Sequence, residues 1–225
     1  MKYLFVAIVG LLLGAVAAGA VLYYNPLSQR AAAAPSSTGR VLRYSLPDSV
    51  LELAVGEDAR LFGQDTGDDS LWEETIDRTA VLGLVLNDAA GQPAAVASRL
   101  IATSAETNLL LRGVLLTDHW LVTIPNEGTL FVRAESNAWP FLKESLLPVW
   151  YFDRPWEGPA EYWPTVGPGF DDSGVVVGIS GLLRDSVGSA VERYELSALD
   201  RDQELAIATG ELHLKLSGPQ VAAQQ

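Results

Sequence analysis

The sequence predicts a mainly β fold, an antiparallel β-sandwich or small barrel of about nine to ten strands, preceded by one N-terminal transmembrane helix. Three observations carry this. An uncharged apolar run opens the chain, period-2 alternation recurs through most of the remaining residues, and turn-forming clusters separate the alternating runs.

The opening run extends from Tyr3 to Tyr24, 22 residues without a charge. As a helix rising about 1.5 Å per residue it would cover a hydrocarbon core of about 30 Å. Tyr23 and Tyr24 fall where an interfacial aromatic belt would sit, and Asn25-Pro26 stops the helix. Ala18-Gly19-Ala20 also offers small residues suited to signal-peptidase cleavage, so residues 1–25 read as a transmembrane anchor or a signal segment. Gly10 and Gly14 form a small-xxx-small pair that would let two such helices approach closely.

Residues 26–40 read as a flexible linker, small and polar with a central Pro35. The β domain is expected over 41–218, followed by a disordered tail at 219–225. Leu51, Leu53 and Val55 share one face of a strand. Val81 to Leu86 should pair with Val96 to Ile101 through the turn-rich DAAGQP. Trp120, Val122 and Ile124 should pair with Leu130, Val132 and Ala134 through Asn126-Glu127-Gly128. The run from Val175 to Leu183 should pair with Val191 to Leu196. In the last strand, Leu205 and Ile207 are odd whereas Leu212, Leu214 and Leu216 are even, which predicts a β-bulge near Gly210. Short helices fit only Leu71 to Asp77 and Phe141 to Leu147.

Composition excludes several functions. A net charge of −13 with scattered basic residues repels phosphate backbones, so no nucleic acid partner is expected. Without cysteine there is no thiol catalysis, disulfide scaffold or thiolate metal site. Two distant histidines, His119 and His213, make a poor metal site, and neither metal nor cofactor is expected. The missing cysteines and the lack of a glycosylation acceptor lean towards a bacterial envelope protein.

Trp139 to Phe170 holds nine of the nineteen aromatics and six of the twelve prolines, so a structured loop is expected there in place of regular strands. Trp139, Trp150, Tyr151, Trp156, Tyr162, Trp163 and Phe170 are the candidate ligand- or partner-binding residues, because rigid rings suit stacking, peptide clamping or covering a cavity. The plainer alternative is that these rings supply core.

No catalytic residue is assigned. Asp171 and Asp172, with Glu157, could form a carboxylate pair for glycan cleavage, although acids in a turn are commonly solvated turn formers. Asp65 to Asp77 fails as a calcium loop, with Ser70 and Ile76 where Gly and Glu are required. His119 beside Asp118 lacks an accompanying nucleophile motif, and Gly178-Ile179-Ser180-Gly181 lacks nucleophile-elbow spacing. The expected function is a membrane-tethered, non-enzymatic binding or assembly role at a bacterial inner membrane, the domain lying outside the cytoplasm. Its partners would be the membrane itself, through the N-terminal helix, and an envelope protein, glycan or lipid. A carrier of an apolar ligand in a barrel cavity and a glycan hydrolase are the alternatives.

Overall fold

Residues 2–24, 39–46, 79–200 and 205–217 are described by a computed structural model. The linker at 26–38, the strand expected at Leu51 to Val55, the acidic helix expected at Leu71 to Asp77 and the tail at 219–225 lie outside the described residues.

Among the described residues, ten strands follow the helix α1 (Lys2–Tyr24): β1 (Arg40–Ser45), β2 (Thr79–Asn87), β3 (Pro93–Thr103), β4 (Leu115–Ile124), β5 (Gly128–Asn137), β6 (Ala160–Tyr162), β7 (Thr165–Gly167), β8 (Gly174–Gly178), β9 (Val187–Asp200) and β10 (Leu205–Ser217). A second helical segment, α2 (139–150), joins α-helical Trp139–Phe141 and Leu147–Trp150 through a π-helical stretch, Leu142–Leu146. Pro140 sits in the first turn of α2, where no intrahelical N–H bond is lost, and Pro148 lies in its second α-helical piece, directly after the π-helical stretch.

Eight strands close into an antiparallel barrel in the order β1-β2-β3-β4-β5-β8-β9-β10, with β10 pairing β1 to complete the ring. Strands β6 and β7 are extra pieces paired with β9 and β5. Alternation cannot choose between sandwich and barrel, because both bury one face of each strand. The β10 pairings decide it: one strand bonded on both edges leaves no open sheet.

Two hairpins follow the alternation, with Val85 opposite Val96 and Trp120 opposite Val132. The third pairs elsewhere than expected: β8 ends at Gly178, residues 179–186 form the connection, and its partners are Val187 to Ala190, while Val191 to Leu196 bonds β10 and β6. The bulge lies elsewhere than expected. Along β10 the even positions Ala208, Leu212 and Leu214 point inward without a break while Ile207 is exposed, and the register shift opposite Ile207/Ala208 leaves Ser197 of β9 as the extra residue. Gly210 has a different reason: a Cβ there would collide with the Tyr44 ring, which lies against it.

One barrel end is sealed. The tight turn at 125–127 meets the 179–186 connection there, where Leu182 N–H donates to the Glu127 carbonyl at 2.6 Å. Arg40 reaches the Glu127 carboxylate through two bonds of 2.9 Å. Above this end sits the main apolar core, including Leu42, Leu86, Val122, Leu130, Val132 and Leu214. The opposite end carries the long connections and is roofed by α2: Val149 packs with Phe141, Trp150 and Trp156 against Leu196, Leu199 and Ala208, and Leu142 and Leu146 pack with Val114, Trp139, Phe141 and Trp150.

The transmembrane expectation is corrected. Among the described residues no helix is long and apolar enough to cross a membrane. The anchor, the membrane as a partner and the inner-membrane, single-pass location fall with it. Around Gly14 the space is open, with nothing within 4 Å of a Cβ built there.

Candidate functional site

The barrel's inward-facing positions are apolar near the sealed end and charged nearer the roofed end. On β3 the buried series runs Ala95, Ala97, Arg99, Ile101, and on β4 it runs Asp118, Trp120, Val122, Ile124. Strand β9 contributes Ala190 and Glu192, both buried, with half-buried Tyr194 next along the inner face. The alternation that buries an aliphatic core therefore also buries one arginine and two carboxylates.

Arg99 is the hub. Its Nε and Nη2 donate to Asp118 Oδ1 at 2.9 and 2.7 Å, and Nη2 also donates to Glu192 Oε2 at 3.0 Å. Its Nη1 lies 2.9 Å from Glu192 Oε1 and donates more weakly to the Tyr44 hydroxyl at 3.4 Å. The second oxygen of Asp118 accepts from Ser136 Oγ at 2.6 Å. Tyr44 donates its hydroxyl to Glu192, and the Tyr194 hydroxyl bonds both Glu192 and Arg99. The Trp120 ring covers the guanidinium at 4.5 Å. From outside the ring, Thr165 of β7 accepts the Glu192 backbone N–H at 2.9 Å.

Charge within this cluster decides its chemistry. With both carboxylates ionised, one guanidinium faces two negative charges, and the cluster carries a net −1 away from water. Burial pushes the Glu192 carboxyl up to about 7, opposed by Arg99 and helped by Asp118. Burial also raises Tyr44 and Tyr194 well above the ordinary tyrosine range, so both remain protonated donors. For Arg99 burial works against the charge, but Asp118 and Glu192 outweigh it and hold the guanidinium charged. The cluster thus buries a carboxyl whose charge is held only weakly near neutral pH, because desolvation and Asp118 oppose Arg99 there.

The seven aromatic candidates do not form one surface. Trp139, Trp150 and Trp156 gather in the roof, half-buried against the apolar groups of α2. Tyr162 is buried below it, edge-on to Phe141 at 5.8 Å and 2.6 Å from Ser145 Oγ. Trp163 lies on the outer wall, donating to Glu161 at 2.7 Å and flanking His213. Tyr151 and Phe170 are exposed. The indole N–H groups of Trp139 and Trp156 are buried with no acceptor among the described residues.

Sequence reasoning missed Arg99, Glu192, Tyr44 and Tyr194, and it met Asp118 only as a neighbour of His119. His119 instead points outward and stacks on Phe131 at 5.7 Å while Asp118 points inward. A usable signal was present: Arg99, Asp118 and Glu192 each occupy the apolar phase of an alternating strand, and their charges are opposite. No group of three or more potential ligands that could hold a metal occurs among the described residues.

No protein-family model matches the chain. No curated protein matches it either. Two solved structures are similar in part. One is described as a nonspecific heme-binding cyclase that catalyzes a 4 + 2 cycloaddition during neoabyssomicin biosynthesis, at 10% identity and a TM-score of 0.39, covering 83% of this chain and 66% of that one. The chain thus spans slightly less than two thirds of that protein's length. The other is a Diels Alderase from Streptomyces koyangensis, at 8% identity and a TM-score of 0.36, covering 84% of this chain and 76% of that one. Likeness this slight assigns no reaction to the present chain. The expected membrane tether is corrected on the helix alone: among the described residues none is long and apolar enough to cross a membrane.

Proposed function

We propose that this chain is an enzyme performing acid–base chemistry on a small, largely apolar molecule that carries a hydrogen-bond acceptor such as a carbonyl, with the barrel interior below α2 as its site. The observation that carries this reading is Glu192: a fully buried carboxyl, held at about 7, between a guanidinium and two tyrosine hydroxyls. In its neutral form Glu192 donates to the acceptor atom and polarises the molecule, and Arg99 with the Tyr44 and Tyr194 hydroxyls stabilises the carboxylate left behind. An eight-stranded barrel has room for packed side chains or one small ligand, so the guest is small. Trp139, Trp150 and Trp156 supply its apolar cover, and two indole N–H groups without acceptors are available to a second polar atom.

One observation favours a plainer reading, in which the cluster is a structural clasp: every nitrogen of the Arg99 guanidinium already has a partner. The test separates the two. Apolar carbonyl compounds are screened for binding by ligand-observed NMR and for conversion by mass spectrometry, using wild type, Glu192→Gln and Trp156→Phe. An enzyme binds at least one compound and converts it at a rate that falls as pH rises through about 7. Glu192→Gln loses conversion while keeping the fold. If no compound distinguishes wild type from Glu192→Gln, the clasp stands and the enzymatic reading is wrong.

A further inference from the structure

Strands β6 and β7 are not members of the ring of eight, yet they lie in line with one of its strands. β5 and β9 run the same way, and β6, β7 and β8 are all antiparallel to them. Along β5 the partners pass from Ser136 and Glu135, which face Thr165 and Gly167, to Arg133, which faces Val175. Along β9 they pass from Leu196, Glu195 and Tyr194, which face Ala160, Glu161 and Tyr162, to Ala190, which faces Gly174. One place between β5 and β9 is thus filled by a strand that breaks, and residues 168–173 are extruded from it. The extruded loop closes on itself: Gly169 N–H donates to the Ser173 carbonyl at 2.6 Å, and Ser173 Oγ donates to the Phe170 carbonyl at 2.8 Å.

The break falls at the level of the buried charges. Among the described residues, Val191, Glu192 and Arg193 face no strand on this side, because β8 reaches Ala190 and β6 begins opposite Tyr194. In an antiparallel ladder every second residue turns its N–H towards the same neighbour, so Glu192 addresses the broken strand together with Ala190 and Tyr194. Its N–H goes instead to a side chain, Thr165 Oγ1, at 2.9 Å. Thr165 is 1% exposed and Glu192 3%, so water offers no ready substitute for that acceptor. The backbone of Thr165 is itself in register with Ser136 of β5. One hydroxyl therefore ties the main chain of Glu192 across the break to β5. Fixing that main chain also fixes the carboxyl among Arg99 of β3, Tyr44 of β1 and Tyr194 of β9, with Asp118 of β4 on the far side of Arg99.

We infer that Thr165 is a positioning residue for Glu192: its hydroxyl supplies the acceptor that the broken strand withholds, and so sets where the Glu192 carboxyl stands against Arg99. The inference rests on the acid–base reading of Glu192. Valine at position 165 keeps the branched shape but turns a methyl group to the amide. A methyl carbon cannot approach an N–H as closely as an oxygen does, so β9 backs away and the Arg99 contacts to the carboxyl, 2.9 and 3.0 Å, lengthen. Serine at the same position keeps the acceptor.

Nuclear magnetic resonance on the full chain, labelled with 15N and with 13C at the glutamate carboxyls, tests this without a substrate. In the wild type the Glu192 amide exchanges slowly with solvent, and its carboxyl, identified by its loss in Glu192→Gln, titrates above the ordinary carboxylate range. Thr165→Val speeds exchange of that amide about tenfold more than it speeds Ala190 and Tyr194, the worth of one hydrogen bond. It also moves the carboxyl midpoint further up, because Arg99 is the group that favours the charged form. Thr165→Ser restores both. A hydroxyl that only stabilises the wall would speed all three amides alike and leave the midpoint unmoved, and that result overturns the inference, as does a lowered midpoint. A Glu192 amide that exchanges rapidly in the wild type overturns it whether or not Thr165→Val folds. A wild-type carboxyl that titrates in the ordinary range fails differently: it overturns the acid–base reading, and the role of Thr165 with it, while the amide stays protected.

Discussion

Exchanging Glu192 for Gln removes one titrating group and leaves a side chain of nearly the same shape among Arg99, Tyr44 and Tyr194. In the unfolded chain the carboxyl has the ordinary value of 4.5, and in the folded barrel it lies at about 7. The folded state therefore binds this proton more tightly, and folding gains stability from it at low pH. That contribution is fully present below about 4.5 and is lost as the pH rises through about 7. At ~1.36 kcal/mol per pKa unit the total is about 3 kcal/mol, with a slope of at most about 1.4 kcal/mol per pH unit. Urea unfolding followed by tryptophan fluorescence, from pH 4.5 to above 8, measures it. The other carboxylates are common to both proteins, so the difference between wild type and Glu192→Gln isolates Glu192. The wild type should lose about 3 kcal/mol relative to the variant across that window. Parallel curves would mean that Glu192 titrates normally, and the proposed general acid would lose its physical basis.

Arg99→Met leaves Asp118 and Glu192 facing each other in a dry interior, and it should destabilise the barrel by about 3–5 kcal/mol in denaturant titrations, most severely above neutral pH. Gly210→Ala pushes a methyl group into the Tyr44 ring and should cost about 1–3 kcal/mol, and Tyr44→Ala made in the same chain should relieve that part of the loss. Leu86→Ala, at a fully buried position of the apolar core, should cost about 2–5 kcal/mol by the same assay while leaving the pH dependence of the Glu192 difference intact.

Local pattern carried far into this fold. Period-2 alternation located β2 through β5 and their two hairpins, because one buried face per strand is a strictly local demand on sequence; it marked β8 and β9 but misplaced the turn between them. Acidity and the lack of cysteine excluded whole classes of chemistry before any contact was known. Closure was different. Whether β10 bonds one neighbour or two depends on strand twist summed around the ring, which no single segment encodes. Gly210 shows the same limit: its reason is Tyr44, far away in the chain, and so local phase suggested a bulge that the structure places at Ser197.

The site lay deeper still. By themselves, Arg99, Asp118 and Glu192 are three charges scattered over β3, β4 and β9, and the aromatic-rich stretch from Trp139 to Phe170 is the more conspicuous sequence feature. The closed barrel turns all three inward to one level, and desolvation there moves Glu192 to about 7, while it spreads the aromatics between roof, wall and solvent. Sequence determined which residues face inward, since that is a property of each strand's own period. Only the tertiary structure decided which inward residues meet, because a meeting across a barrel depends on registers set by every strand between them.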